Sequence, residues 1–147
     1  HNLLMGMFDE YETYITFQMT YKEAMNALEI AHIRKKECPV VWNEKIGYWK
    51  LLKDMSQQQQ CKEFVSKKID ALIQYDKENE SDLIETLEAL VNHLGARNTT
   101  ATSLYLHRNT LMYRIKKIEN LTGYDLSDPE SILELSLALR LNKFMNH

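Results

Sequence analysis

Apolar residues recur at helical intervals along most of this chain, and breaks in the repeat mark where one helix gives way to the next. Between Leu3 and Met19, Leu4, Met7, Phe8, Tyr11 and Ile15 fall at helical spacing, although Gly6 and the β-branched residues work against a helix. Thr20 to Glu37 repeats more cleanly, with Tyr21, Ala24, Leu28 and Ala31 as one stripe and Lys22, Glu23 and Glu29 outside it. Pro39 ends any helix, and Val40, Val41 and Trp42 form a brief strand candidate. A short helix follows around Ile46 to Met55. Then Cys61, Phe64, Val65, Ile69, Leu72 and Ile73 predict an amphipathic helix over Gln58 to Asp76.

The stretch Tyr75 to Ser81 (YDKENES) is charged and lacks aliphatic residues, which places a domain boundary there and divides the chain into residues 1–75 and 76–147. Four helix signals follow it. Ser81 caps a helix through Leu94 that turns Leu83, Leu87, Leu90, Val91 and Leu94 inward, with Gly95 as the residue after its end. Asn98 or Thr99 caps a very short helix from Thr100 to Tyr105, and a helix from Asn109 to Leu121 stops at Gly123. Ser127-Asp128-Pro129-Glu130 then opens a last helix, with Asp as cap, Pro in the first turn and Glu at the positive end of the dipole. Ile132, Leu133, Leu135, Leu137, Leu139 and Leu141 carry it to about Phe144. The fold class is mainly α: a helix-turn-helix bundle preceded by an α-rich segment with at most a short strand.

Composition narrows the function. A hydrophobic share of 44% and a charged share of 27% suit a globular domain and not a disordered one. No apolar run approaches the ~20 residues of a membrane span, so no membrane partner is expected. Cys38 and Cys61 are far apart and have no His or acid at a telling offset, which favours free thiols in a reducing, cytoplasmic setting. His1, His32, His93, His107 and His147 show no metal-ligand spacing, and there is no Gly-rich phosphate loop. Glu85/Glu88 and Asp9/Glu10 read as solvated helix faces. Neither an enzyme nor a cofactor or metal site is implied. A first residue of His1 instead of Met suggests a piece of something longer.

The net charge of −3 hides an exception. From Arg97 to Ile118 there is no Asp or Glu, yet Arg97, Arg108, Arg114, Lys116 and Lys117 all fall there. On a wheel of about 100° per residue, Leu111, Ile115 and Ile118 cluster on one side of the Asn109–Leu121 helix, with Leu121 at the margin. Asn109, Tyr113, Lys116, Lys117 and Asn120 occupy the other side. A long helix, a very short one, a tight turn and this polar-faced helix make a helix-turn-helix layout, in which the start of the last helix meets base edges. Arg108 can grip guanine with its planar fork, Asn109 can pair with adenine, and Tyr113 stands on the same side. Thr110, Arg97, Arg114, Lys116 and Lys117 suit phosphate oxygens. Ala101 is small where the first two helices must approach. The bland alternatives are a merely solvated cationic face, and His107 as a turn or capping residue and not a titrating switch.

These segments carry a resemblance. LIETLEALVNH (Leu83–His93), HRNTLMYRIKKIENLTG (His107–Gly123) and DLSDPESILELSLALRL (Asp125–Leu141) resemble the C-terminal helix-turn-helix of PucR/CdaR-type bacterial transcriptional regulators, those of purine catabolism and sugar-diacid use. Upstream, TYKEAMNALEIA (Thr20–Ala31) and VVWNEKIGYWKLL (Val40–Leu52) look like the tail of a degenerate GGDEF-like middle domain. The resemblance implies sequence-specific binding of double-stranded DNA by a homodimer, with base reading at Arg108 and Asn109 and an effector sensed by an N-terminal region absent here. The family commonly has a basic residue where this chain has Thr102 and another where it has Met112; Arg97 can restore one. In place of the family's Gly-Asn-x-Ser entry to the second helix stands Gly95-Ala96-Arg97-Asn98, which puts Asn98 at the capping position. The rival reading is a protein-interaction or dimerisation module that keeps the helix-turn-helix shape, docks through its leucine-rich last helix and does not bind DNA.

Overall fold

The computed structural model describes residues 5–7, 16–33, 40–42 and 47–146, which fall into two compact units, residues 1–57 and 58–147. Cys38 and residues 8–15 and 34–39 lie outside the described residues, as do the parts of the sequence-based helices that fall on them.

In the first unit, β1 (Met5–Met7) pairs in parallel with β2 (Val40–Trp42), and α1 (Thr16–Ile33) stands between them in the chain and packs on both. Parallel neighbours need such a crossover, because a tight turn cannot reverse the chain direction twice. The strand expected at Val40–Trp42 is present. The helix expected from Leu3 instead begins with a strand at Met5–Met7, so the segment holds a second short strand within a still mainly helical chain. The face of α1 also differs from the expected stripe: Ala27, Ile30 and Ala31 are buried, whereas Tyr21 and Leu28 are exposed. Small residues let the helix sit close against its neighbours, and that favours the alanine-bearing side. Helix α2 (Tyr48–Ser56) buries Trp49 and Leu52 and ties back to α1 through ion pairs of Lys50 with Glu23 (3.2 Å) and Lys53 with Glu29 (2.5 Å).

The second unit is a bundle of α3 (Gln59–Asn79), α4 (Leu83–Asn92), α5 (Arg97–Ser103), α6 (Arg108–Thr122) and α7 (Pro129–Met145). Helix α3 contributes Cys61, Val65, Ile69 and Leu72, spaced three or four apart, and packs on α4, α6 and α7. Most of the apolar stripe of α7 faces inward too: Leu135, Ala138, Leu139, Leu141 and Phe144 are buried, whereas Leu133, expected in the same stripe, is 52% exposed. Each fully buried Leu or Ile stabilises the bundle by about 1.5–3 kcal/mol.

The boundary expected at residue 75/76 falls inside α3, which runs through the charged stretch to Asn79. Its last turns are held by polar contacts: Gln74 donates to Glu78 (2.7 Å) and the Asn79 amide to the Tyr75 carbonyl (2.9 Å). Asp76 then reaches forward to the start of α4. Its carboxylate accepts the N–H groups of Leu83 (2.9 Å) and Ile84 (2.8 Å) and the hydroxyl of Ser81 (2.5 Å). The expected cap, Ser81, is thus a partner of the true capping carboxylate, which belongs to the previous helix.

Both turns around α5 end the preceding helix in the same way. The N–H of Gly95 bonds to the Leu90 carbonyl (2.9 Å) and that of Leu94 to Val91 (3.1 Å); Leu106 and Tyr105 do likewise with Ala101 (2.9 Å) and Thr102 (3.1 Å). This is the Schellman arrangement, and it requires a left-handed residue just past the helix end. Those residues are Leu94 (φ +51°) and Tyr105 (φ +54°). Leu94, expected inward with Gly95 as the helix stop, therefore lies at the turn and is 88% exposed. Asn98 does not cap α5: the N-cap is Ala96, and Asn98 sits in the first turn, where its carbonyl accepts from the Thr102 hydroxyl (3.1 Å).

Candidate nucleic-acid interface

Helix α6 is placed by its buried side. Leu111, Ile115 and Ile118 are at most 1% exposed, packed among α3, α4 and α5, as the wheel predicts. Its start is fixed by His107, whose Nδ1 accepts the Asn109 N–H at 3.2 Å. With Nδ1 acting as acceptor, a neutral ring carries its proton on Nε2. The histidine is a capping residue. Gly123 ends the helix in the left-handed conformation (φ +75°), its N–H on the Glu119 carbonyl at 2.8 Å.

This packing leaves Arg108, Asn109 and Thr110 exposed together in the first turn, with two of the helix's unpaired N–H groups and its positive dipole end beside them. Tyr113 follows one turn on and is 68% exposed. Lys116 is exposed one turn further. The three base-contact candidates and the phosphate candidates Thr110 and Lys116 therefore share the outward side of one helix.

The remaining cations are engaged by neighbours. Arg114 donates from Nη2 to Asp82 and from Nη1 to Thr86 Oγ1, each at 3.0 Å, and is 22% exposed. Thr86, fully buried, passes its own proton to the Asp82 carbonyl (2.7 Å), so the guanidinium locks α6 onto the first turn of α4. Arg114 has the geometry of a strut and not of a free phosphate clamp. The Lys117 ammonium lies 4.5 Å from the ring centroid of Tyr75 on α3. Arg97 sends Nη1 to within 3.9 Å of the Met112 sulfur, so a cation from α5 stands over one of the positions where the family resemblance expects a basic residue. Around it lies a shallow groove of about 440 Å³ lined by Arg97, Met112, Tyr113, Ile115, Lys116 and Glu119. Glu119, the acid nearest in sequence, is partly occupied by accepting the Leu126 N–H at 3.1 Å.

Charged pairs outside the outward face fasten the frame. Lys68 on α3 donates to both Tyr124 and Glu134, and its ammonium sits 4.7 Å above the Phe64 and Tyr124 rings. Burial disfavours the Lys68 charge, but the two hydrogen bonds outweigh burial and hold its pKa above the ordinary lysine value. The same bond from Lys68, with the Tyr124 hydroxyl at 3.0 Å, holds Glu134 below the usual carboxylate range. At the start of α7 the expected cap is present. Asp128 accepts the Ser131 N–H and hydroxyl, each at 2.8 Å, with Pro129 in the first turn, and those bonds lower its pKa.

Residues 83–141 match the PucR C-terminal helix-turn-helix domain family. The chain is 30% identical to the proline-responsive transcriptional activator PutR of Bacillus subtilis (strain 168) over 142 residues, 96% of this chain and 34% of that protein. It is 30% identical to the purine catabolism regulatory protein of the same organism over 126 residues, 86% of this chain and 23% of that protein. With the carbohydrate diacid regulator of Escherichia coli (strain K12) it shares 39% identity over 66 residues, 45% of this chain and 17% of that protein. The chain spans about a third or less of the length of these relatives. Residues 83–141 are thus a helix-turn-helix domain of the PucR C-terminal type.

Proposed function

We propose that this chain is the DNA-binding part of a transcription regulator, with α6 entering the major groove of double-stranded DNA. The observation that carries the reading is the first turn of α6, where Arg108, Asn109 and Thr110 stand exposed within a stretch free of acidic residues. Arg108 and Asn109 would read base edges, with Tyr113 beside them, while Thr110, Lys116, Lys117 and Arg97 would neutralise or bond phosphates. Arg114 would act indirectly by fixing the angle of α6 to α4. Two copies of the chain would read two half-sites related by a two-fold axis. Leu135, Leu139 and Leu141 of α7 are buried in the bundle, which leaves exposed Leu133 but little else of its leucine-rich side for the reading in which that helix is a docking surface.

In the longer regulator an effector would be sensed N-terminal to this region. The proposal for effector sensing is supported by the share of each relative that the chain leaves uncovered.

The test is a mobility-shift titration with a duplex from the regulator's own promoter region and a random-sequence duplex of equal length. Arg108→Ala should lower the preference for the promoter duplex by about 1–3 kcal/mol. Lys116→Ala should weaken both duplexes alike and reduce the salt slope by about one unit. Unchanged binding in both variants would mean that α6 is not the reading helix.

A further inference from the structure

Tyr105, like Leu94 at the turn before it, is a large exposed residue of the helix-turn-helix in a left-handed position, and of the two it alone carries a hydrogen-bonding group. The turn after α5 fixes its conformation: with the Leu106 and Tyr105 N–H groups on the Ala101 and Thr102 carbonyls, the residue at 105 must adopt positive φ, and it does so at +54°. Glycine or asparagine fills such a position without the clash that a large side chain meets. A bulky aromatic there is strained, and strain of this sort persists where the side chain serves something else.

Nothing within the described residues uses that side chain. Tyr105 is 97% exposed, and none of its side-chain atoms takes part in a hydrogen bond, ion pair or ring contact among them. A tyrosine that neither fills a core nor pairs with a neighbour gives the folded chain little in return for the strained backbone.

Its surroundings indicate what it meets. Tyr105 stands two residues before the His107 cap and three before Arg108, inside the acid-free stretch from Arg97 to Ile118. The exposed residues next to it in sequence, Thr102, Ser103, His107 and Arg108, are polar or basic. An apolar protein partner would find no oily rim there. An anion would find the Arg108 cation and one neutral O–H donor on a rigid ring, and phosphate oxygens accept hydrogen bonds of that kind.

We infer that Tyr105 is a DNA-phosphate contact at the entrance to α6, its phenol bonding the sugar-phosphate backbone beside the bases that Arg108 and Asn109 would read. The inference rests on the reading of α6 as a DNA-binding helix and adds to it a neutral anchor held by the turn. Being uncharged, this anchor strengthens binding without releasing a counterion, so its removal leaves the salt slope unaltered.

Two variants of the 147-residue chain test this, with a random-sequence duplex as probe at several salt concentrations and thermal unfolding measured alongside. Tyr105→Phe keeps the ring and the backbone and removes only the hydroxyl. It should weaken binding on the order of 3- to 10-fold, with the parent's salt slope and an unchanged unfolding midpoint. Tyr105→Gly should bind at least as weakly as the Phe variant yet unfold at a higher temperature, because positive φ is free for glycine. Parent-like affinity in both variants, with Lys116→Ala still weakening the same duplex, would overturn the role of Tyr105 and leave the reading of α6 standing. Absence of any shift with the unmutated chain would overturn both.

Discussion

The carboxylate of Asp76 takes two backbone N–H groups from the start of α4 and a hydroxyl from Ser81, all from a position on the preceding helix. Donors at a helix start are otherwise left to water, so Asp76→Ala should destabilise the chain by about 1–2 kcal/mol in chemical denaturation, near the upper range for a lost cap. Asp76→Asn should recover part of it, since an amide oxygen still accepts. Ser81→Ala should cost less than Asp76→Ala; the reverse order would mean that the serine is the cap. Arg114 makes a second prediction at this scale. Its bonds to Asp82 and Thr86 make Arg114→Ala a stability variant, costing about 1–2 kcal/mol, with non-additive coupling to Asp82→Ala in a double-mutant cycle. Additive effects, or a salt slope reduced as in Lys116→Ala, would restore Arg114 to the phosphate contacts. Neither residue was legible for what it does. Asp76 lies seven residues before the first N–H it accepts, across a turn, within a run that reads as a charged linker. Arg114 sits in a cationic cluster with Arg108, Lys116 and Lys117, and nothing in its spacing reveals a partner on α4.

Among the elements, α6 and α7 were read nearly to the residue because each carries several signals that agree. In α6 the apolar spacing of Leu111, Ile115 and Ile118 and the stop at Gly123 give the same bounds as the structure, within a residue. In α7 the Asp128-Pro129 start holds as a cap. Its strength should depend on acidity in a stated direction. The bonds from Ser131 lower the Asp128 pKa, so the cap's contribution is complete above the ordinary value of 3.8 and fades as pH falls through the lower folded value. The unfolding midpoint of Asp128→Ala should therefore lie below that of the parent near neutrality, and the gap should close in stronger acid. A gap that widened on acidification would be incompatible with a carboxylate cap. The α4–α5 and α5–α6 turns were less legible, because Gly95 advertises a helix end that the backbone reaches one residue earlier, at Leu94. In the first unit, β1 went unseen because a strand of 3 residues is too short to show an alternation against the helical spacing around it.

At the scale of the whole molecule, the chain's acidity and the outward face of α6 answer different questions. A net charge of −3 describes the sum, whereas a ligand approaching Arg108 meets a surface whose own stretch of sequence carries no acid. The class of the fold and the outward polar face of α6 could be seen in the sequence; the division of the chain could not, because charge density at Tyr75–Ser81 looks the same on a helix as on a linker. That division has a practical consequence for anyone exchanging such DNA-binding parts between regulators. A splice placed in the charged run, or a fragment begun at residue 76, would discard Val65, Ile69 and Leu72 and leave the apolar sides of α6 and α7 facing water. Such a fragment should aggregate or bind DNA poorly whatever the quality of its α6, while one begun at residue 58 keeps its own core. Grafts that fail at the first joint and succeed at the second would report where this protein can be cut, not what it can recognise.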